Sequence, residues 1–249
     1  FEHATLYGSE KYPSQTLLFN VMYQTYNTYV NAYTTDAMTS YPLASLSEDQ
    51  LLRLADWYTD SCFHPNIMTE ESIFKTQAWH YELADADSPL TLEGTVYSEM
   101  LGSMTLDQTA LYNANQLTFP GASISYEYGG MPAHIPEMTW EQLKSYHDLY
   151  YHPSNCIAFL YGALDHYDAF LELLDREFSQ YERREFVQAE EGYAPIAEPV
   201  EAAIPYPAAK GTDTVNQSHV IYYILCPGLK DLPEEERPRC VRFCRGFMM

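Results

Sequence analysis

Basic residues are scarce: 13 Lys and Arg stand against 35 Asp and Glu, a formal net charge of −22. A field of that sign repels phosphate backbones and anionic lipid surfaces, so nucleic acid is excluded as a first choice of partner. The deficit is uneven, with only Lys11, Arg53, Lys75 and Lys144 against 23 acidic residues in 1–175, and nine basic against twelve acidic in 176–249. A cationic partner would be drawn to the first stretch; alternatively, the acidity merely keeps a Tyr-rich surface soluble. Long apolar runs are also missing. The longest, Cys156–Leu164 and Val220–Cys226, fall well short of the roughly 20 residues of a membrane span, so no span is expected. The five cysteines, at 62, 156, 226, 240 and 244, form no C-x-x-C pair. That usage suits core thiols in a reducing compartment better than a disulfide framework. The chain has no G-x-S-x-G, no G-x-G-x-x-G, no Walker loop and no repeat of 20 to 50 residues, which sets aside the corresponding hydrolases, nucleotide binders and solenoids.

What is present is enough to fold. Of 249 residues, 46% are hydrophobic and 15% aromatic, which supplies a packed core for one large domain or one domain and part of another. Leu17, Leu18, Val21 and Met22 follow helical spacing after Pro13-Ser14, and two Tyr, Val and Thr-rich runs, 28–34 and 38–45, flank an Asp36-Ala37 turn as a hairpin would. Ser47 with Gln50 and Thr139 with Gln142 fit the capping box and open helices over about 48–62 and 140–151. Helical spacing also covers about 69–83, 91–104, 105–117 and 167–181, and Cys156–Gly162 reads as a buried strand. The sum is an α+β chain. A first domain is expected over 1–185, a Pro, Ala and Glu-rich linker over 186–200, and the beginning of a second unit over 201–249 with a strand at His219–Cys226. Residues 237–249 are a basic tail unlike the rest. The chain opens on Phe1 rather than Met, so its natural start, and any targeting signal, is expected upstream.

Among the eight histidines, His147 and His152 share one expected helix, but a separation of five turns them about 140° apart and prevents a shared metal. Glu2-His3 means little alone. The run from Phe1 to Pro13, Phe-Glu-His-Ala-Thr-Leu-Tyr-Gly-Ser-Glu-Lys-Tyr-Pro, resembles the end of the H-x-x-E-H helix and the G-S-x-K-Y-P turn of the inverted-motif zinc peptidases, the pitrilysin or insulinase (M16) family, in its presequence-protease-like branch. Four stretches resemble that branch in the expected order: Asn27–Thr34, Trp79–Leu83, Gly94–Met100 and Tyr150–Asn155. The resemblance covers roughly residues 1–226.

It implies an M16-type α/β sandwich, a mixed and largely antiparallel sheet with helices packed on it, in a parent chain of four such domains whose halves close around a peptide. By matching position, Glu2 is the carboxylate that activates a water on Zn²⁺, and His3 and Glu99 are two of its three protein ligands. The first His of the motif would stand two positions before Phe1. Asn31, Ala32 and Tyr33 match an edge strand that pairs with an extended substrate. The bland alternatives are a solvated helix end for Glu2 and His3, an exposed helical carboxylate at Glu99 above a core face of Val96, Tyr97 and Met100, and an internal strand at 31–33. His80 and His152 are expected to make structural hydrogen bonds. The implied activity is zinc-dependent endopeptidase cleavage of unstructured peptides, residing in the parent chain and requiring its C-terminal half, and the negative field of residues 1–175 adds an expected preference for basic ones. The rival is a non-catalytic relative that holds peptides or plays a structural part. A bacterial cytoplasm is favoured over an organelle matrix. On the full-length protein, kcat/KM for a Lys-rich peptide should exceed that for a Glu-rich one, and added salt should narrow the gap; equal values at both ionic strengths would remove the charge preference.

Overall fold

The computed structural model describes residues 1–186, 198–205, 210–211, 213, 215, 218, 220–222 and 232–240. Its helices are α1 (Glu2–Thr5), α2 (Leu17–Gln24), α3 (Glu48–Phe63), α4 (Glu71–Gln77), α5 (Thr95–Ser103), α6 (Leu106–Thr118), α7 (Trp140–Tyr150) and α8 (Tyr167–Phe178). Its strands are β1 (Asn27–Val30), β2 (Tyr33–Thr34), β3 (Thr39–Ser40), β4 (Leu43–Ser45), β5 (His80–Glu82) and β6 (Thr91–Glu93). The class is α+β, with small antiparallel ladders that do not close into a barrel. The chain divides into two compact units, Phe1–Thr105 with Tyr126–Glu190, and Leu106–Ser125 with Glu191–Met249.

In the first unit the expected hairpin forms in two parts. β1 pairs with β4 through Val30 opposite Leu43, and β2 with β3 through Tyr33 opposite Ser40 and Thr34 opposite Thr39. Between them Asn31 keeps the two strands together by donating its N–H to the Pro42 carbonyl at 3.2 Å. Helix starts follow the caps. Thr139 and Gln142 complete a reciprocal capping box on α7. On α3 the Ser47 side chain accepts from Gln50 N–H, while the Ser45 hydroxyl stands between the Ser47 amide and the Gln50 side chain, so the return half of the box runs through a third residue.

Two apolar clusters carry the unit. Ala4, Ile67, Ile73, Phe74, Ala78 and Leu143 form one; Leu6, Val21, Val30, Leu54, Trp57 and Tyr58 form the other. Helices α3 and α8 are tied at three levels. The Glu48 carboxylate accepts from the Asp165 and His166 amides at 3.0 and 2.7 Å, which ties the residues leading into α8 to the start of α3 and, through those backbone donors, holds Glu48 below the usual carboxylate range. Asp56 accepts from Arg176 at 3.0 Å, and His64 pairs with Glu177 at 2.5 Å. Start meets start and end meets end, so the two helices run parallel.

Four expectations fail here. The helix expected over 69–83 stops at Gln77, and the one expected over 91–104 begins at Thr95, because residues 80–82 and 91–93 pair instead as the β5–β6 ladder. Cross-strand hydrogen bonds between segments nine or more residues apart leave no mark on helical periodicity. Cys156–Gly162 is not a buried strand: it joins no ladder among the described residues, and Ile157, Phe159 and Tyr161 are 94%, 86% and 85% exposed. Cys62 and Cys240 are half-buried and Cys156 is exposed, so the last is no core thiol; Cys226 and Cys244 lie outside the described residues.

In the second unit, α6 runs as expected into a short turn where Ser125 and Ala122 are buried and Gln116 donates to the Ser125 carbonyl. Most of the expected linker, the strand at 219–226 apart from Val220–Tyr222, and residues 241–249 of the tail lie outside the described residues. Val220–Tyr222 is not strand. No helix among the described residues is long and apolar enough to cross a membrane.

Asp56 also accepts from the Tyr12 hydroxyl at 2.7 Å and Lys11 Nζ at 3.2 Å. Partial burial works to raise its pKa, but the hydrogen bonds from Tyr12 and Lys11 and the nearby cations outweigh it, leaving the carboxyl below its ordinary 3.8. A depressed folded-state value contributes stability that is complete above the unfolded value and is lost as pH falls through the folded one. Asp56→Asn should therefore cost on the order of 1 kcal/mol at pH 7, with the difference from wild type shrinking in urea melts at pH 3.

Candidate functional site

Helix α1 has only four residues, too few to persist alone, and burial holds it in place. Ala4, Thr5 and Leu6 are 2%, 0% and 4% exposed, with Ala4 in one apolar cluster and Leu6 in the other. The turn that follows is fastened to the end of α3. Gly8, at φ +100, accepts from Asn66 N–H; Glu10 N–H donates to the His64 carbonyl; Lys11 N–H donates to the buried Asp60 carboxylate at 2.9 Å. A side chain at position 8 would meet Asn66 and the Pro13 carbonyl at about 3 Å, so glycine is required there. The polar end of α1, Glu2 and His3, is left half-buried.

Two other segments reach that end. From the hairpin, the Thr34 hydroxyl donates to Glu2 Oε2 at 2.5 Å. From α5, Glu99 Oε2 stands 3.3 Å from His3 Nε2. Helix α5 buries none of its residues, and Val96, Tyr97 and Met100 are only half-buried, so no core face fixes it. Its position comes from its start. Gly94 packs so closely on α4 that a Cβ would lie 2.3 Å from the Ala78 carbonyl, and Thr95 Oγ1 donates to the Thr76 carbonyl at 3.2 Å. Because α4 packs against α1, this anchor carries Glu99 to His3.

Two donors each about 2.1 Å from a tetrahedral ion lie about 3.4 Å apart. The His3–Glu99 pair has that spacing, with side chains 33% and 60% exposed and therefore reachable by solvent and a ligand. A catalytic zinc takes three protein ligands, and no cluster of three metal-ligating side chains occurs among the described residues. His3 and Glu99 thus fit zinc in kind and spacing as two of a set.

Of the residues expected to pair with substrate, Asn31 and Ala32 lie between β1 and β2, and Tyr33 lies in β2. The Asn31 N–H and C=O are engaged by Pro42 and the Tyr58 hydroxyl, and the Ala32 N–H by the Asn31 side chain. Strand β2 pairs with β3 alone, which leaves its other edge open among the described residues. His80 Nδ1 donates to the Lys75 carbonyl, and His152 accepts from Ser154 N–H, both structural bonds. His147 Nε2 faces the Cys62 carbonyl at 2.9 Å and must donate to it; burial lowers its pKa. The Thr34–Glu2 bond was not foreseen from sequence, although Thr34 follows Asn31-Ala32-Tyr33 directly and alternation along β2 would have pointed it away from Tyr33.

A family model described as Peptidase M16 inactive domain matches residues 137–237. The chain is 31% identical over 238 residues to Protein HypA of Clostridium perfringens, a match covering 95% of this chain and 24% of that protein. It is 32% identical over 237 residues to the mitochondrial presequence protease of Mus musculus, covering 92% of this chain and 22% of that one. With presequence protease 1, chloroplastic/mitochondrial, of Arabidopsis thaliana it shares 35% over 162 residues, 65% of this chain and 15% of the relative. The chain belongs to the M16 family, in its presequence-protease-like branch. This M16 chain spans about a quarter or less of the length of those relatives. The stretch that matches the inactive-domain description contains neither Glu2, His3 nor Glu99.

Gly94→Ala in the M16 chain forces the β6–α5 corner off α4. It should destabilise by about 1–3 kcal/mol in thermal melts, and a wild-type midpoint would show that α5 is anchored elsewhere.

Proposed function

We propose that the parent chain is a zinc-dependent endopeptidase that degrades unstructured peptides inside a closed chamber, and that this segment supplies its metal-binding and proton-transferring residues. The observation that carries the reading is the convergence of His3 Nε2 and Glu99 Oε2 to 3.3 Å beside Glu2. These residues lie 96 positions apart in the chain, and the anchor of α5 on α4 at Gly94 and Thr95 brings them together. The third ligand is the histidine of the motif expected ahead of Phe1.

His3 and Glu99 would hold the ion, which when bound would supply an acidic water near neutral pH and polarisation of the peptide carbonyl. Glu2 takes the proton from the attacking water at a carboxylate oxygen and returns it to the departing amine, an exchange within reach of one side chain on the same helix as His3. The open edge of β2 receives the substrate as an added strand, so that backbone hydrogen bonds bind peptides of many sequences. With Asn31 engaged by Pro42 and the Tyr33 backbone turned toward Ser40 by alternation along the ladder, substrate pairing concentrates on the Ala32 carbonyl and the Thr34 backbone. The excess of acid in residues 1–175 favours basic peptides. The C-terminal half of the parent completes the chamber, and the setting is a bacterial cytoplasm ahead of an organelle matrix.

In the full-length protein, Glu2→Gln should retain zinc and lower kcat by about 10²–10⁴-fold, whereas His3→Ala or Glu99→Ala should lose zinc and activity together. Wild-type zinc content in Glu99→Ala would break the assignment. The 249-residue chain alone should cleave no peptide. A full-length protein that binds peptides but neither holds zinc nor cleaves would instead match the non-catalytic reading.

A further inference from the structure

We infer that Thr34 is the positioning residue for Glu2, fixing which carboxylate oxygen is free to move a proton. This rests on the proposed role of Glu2. The Thr34 hydroxyl lies 2.5 Å from Glu2 Oε2 and 3.2 Å from Thr39 Oγ1. An ionised carboxylate only accepts, and a hydroxyl has one hydrogen, so Thr34 donates to Glu2 and Thr39 must donate to Thr34. The direction of both bonds is thereby set. Thr39 stands opposite Thr34 in the β2–β3 ladder, and its hydroxyl also faces the half-buried Tyr151 phenol, which is itself bonded to Tyr41 at 2.8 Å. The carboxylate is therefore oriented by hydroxyls mounted on a hydrogen-bonded ladder that is backed by half-buried aromatic side chains.

Two consequences follow for the chemistry. With Oε2 held by Thr34, Oε1 is the oxygen left to accept and return a proton. A short charge-assisted bond also restricts rotation of the carboxylate, whose terminal torsion is otherwise broad. Tyr33 and Thr34 are successive residues of β2, so they project to opposite faces. The strand whose open edge would receive substrate thus also sets the base, and a peptide that orders β2 aligns Glu2 in the same event. A purely structural Thr34 would have its hydroxyl within the ladder or the core; here its hydrogen goes to the one carboxylate proposed to move protons.

The test uses the full-length enzyme with Thr34→Val, Thr34→Ser, Glu2→Gln and the Thr34→Val/Glu2→Gln pair. Thr34→Val keeps the shape and removes the hydroxyl; it should lower kcat about 10- to 100-fold with KM and zinc content unchanged, and Thr34→Ser should recover most of that loss. In the metal-free protein, the midpoint shift of the double variant should fall short of the sum of the two single shifts, because Thr34→Val removes and Glu2→Gln weakens the same bond. Wild-type kcat in Thr34→Val, equal loss in Thr34→Val and Thr34→Ser, or additive midpoint shifts would each overturn the inference. Undiminished cleavage by Glu2→Gln would overturn the role of Glu2 itself and this inference with it, whereas an inactive Glu2→Gln beside a fully active Thr34→Val would overturn only the positioning role.

Discussion

The site depends on the burial of three consecutive small or apolar residues, Ala4, Thr5 and Leu6, between two apolar clusters. A single helical turn has no intrinsic stability, since nucleation fixes several dihedrals for one hydrogen bond. Here the entropy is offset by packing on both flanks and by the backbone bonds that fasten residues 8–11 to the end of α3. Glu2 and His3 inherit their directions from that fixed backbone.

Three stretches distant in sequence then converge on α1: the hairpin with Thr34, α5 with Glu99, and α4, which α1 touches directly. Helix α4 meets α1 through the apolar cluster of Ala4, Ile73 and Phe74, whereas α5 and the hairpin are set by backbone contacts and not by a wide hydrophobic face. Gly94 allows α5 to meet the Ala78 carbonyl, and the Thr34–Thr39 pairing presents a hydroxyl at a set height. Polar side chains serve the same end in the scaffold, where Glu48, Asp56 and His64 space three ties along α3 to α8. Burial together with the bond to Asp56 pushes the Tyr12 hydroxyl up to about 12, so it remains a neutral donor throughout the ordinary pH range.

Local signals carried the features that depend on local physics. The caps at Ser47 and Thr139 mark helix starts because a side-chain oxygen meets an amide three residues on. The hairpin around Asp36-Ala37 is legible from composition and turn chemistry for the same reason. What escaped were pairings that join distant segments. Residues 80–82 and 91–93 have apolar spacing compatible with helix, and only their mutual ladder makes them strands. The run at 156–162 has the composition of a core strand, but burial is a property of neighbours, and here none of the described residues covers it. The His64–Glu177 pair spans 113 positions and has no motif to announce it. His3 and Glu99 were linked through resemblance alone; neither periodicity nor charge would have joined them.

The uncovered row of Ile157, Phe159 and Tyr161 also bears on how the molecule behaves in bulk solution. Alternate large apolar groups on a segment that joins no ladder among the described residues are a template for lateral association between copies. Against this short-range stickiness stands the mutual repulsion of chains carrying −22 charges each. Repulsion is the longer-ranged force, but its reach contracts to about 10 Å in 0.1 M salt. Colloidal behaviour is consequently a contest whose outcome shifts with ionic strength: dilute buffer keeps the chains apart, and concentrated salt lets the apolar edges find one another.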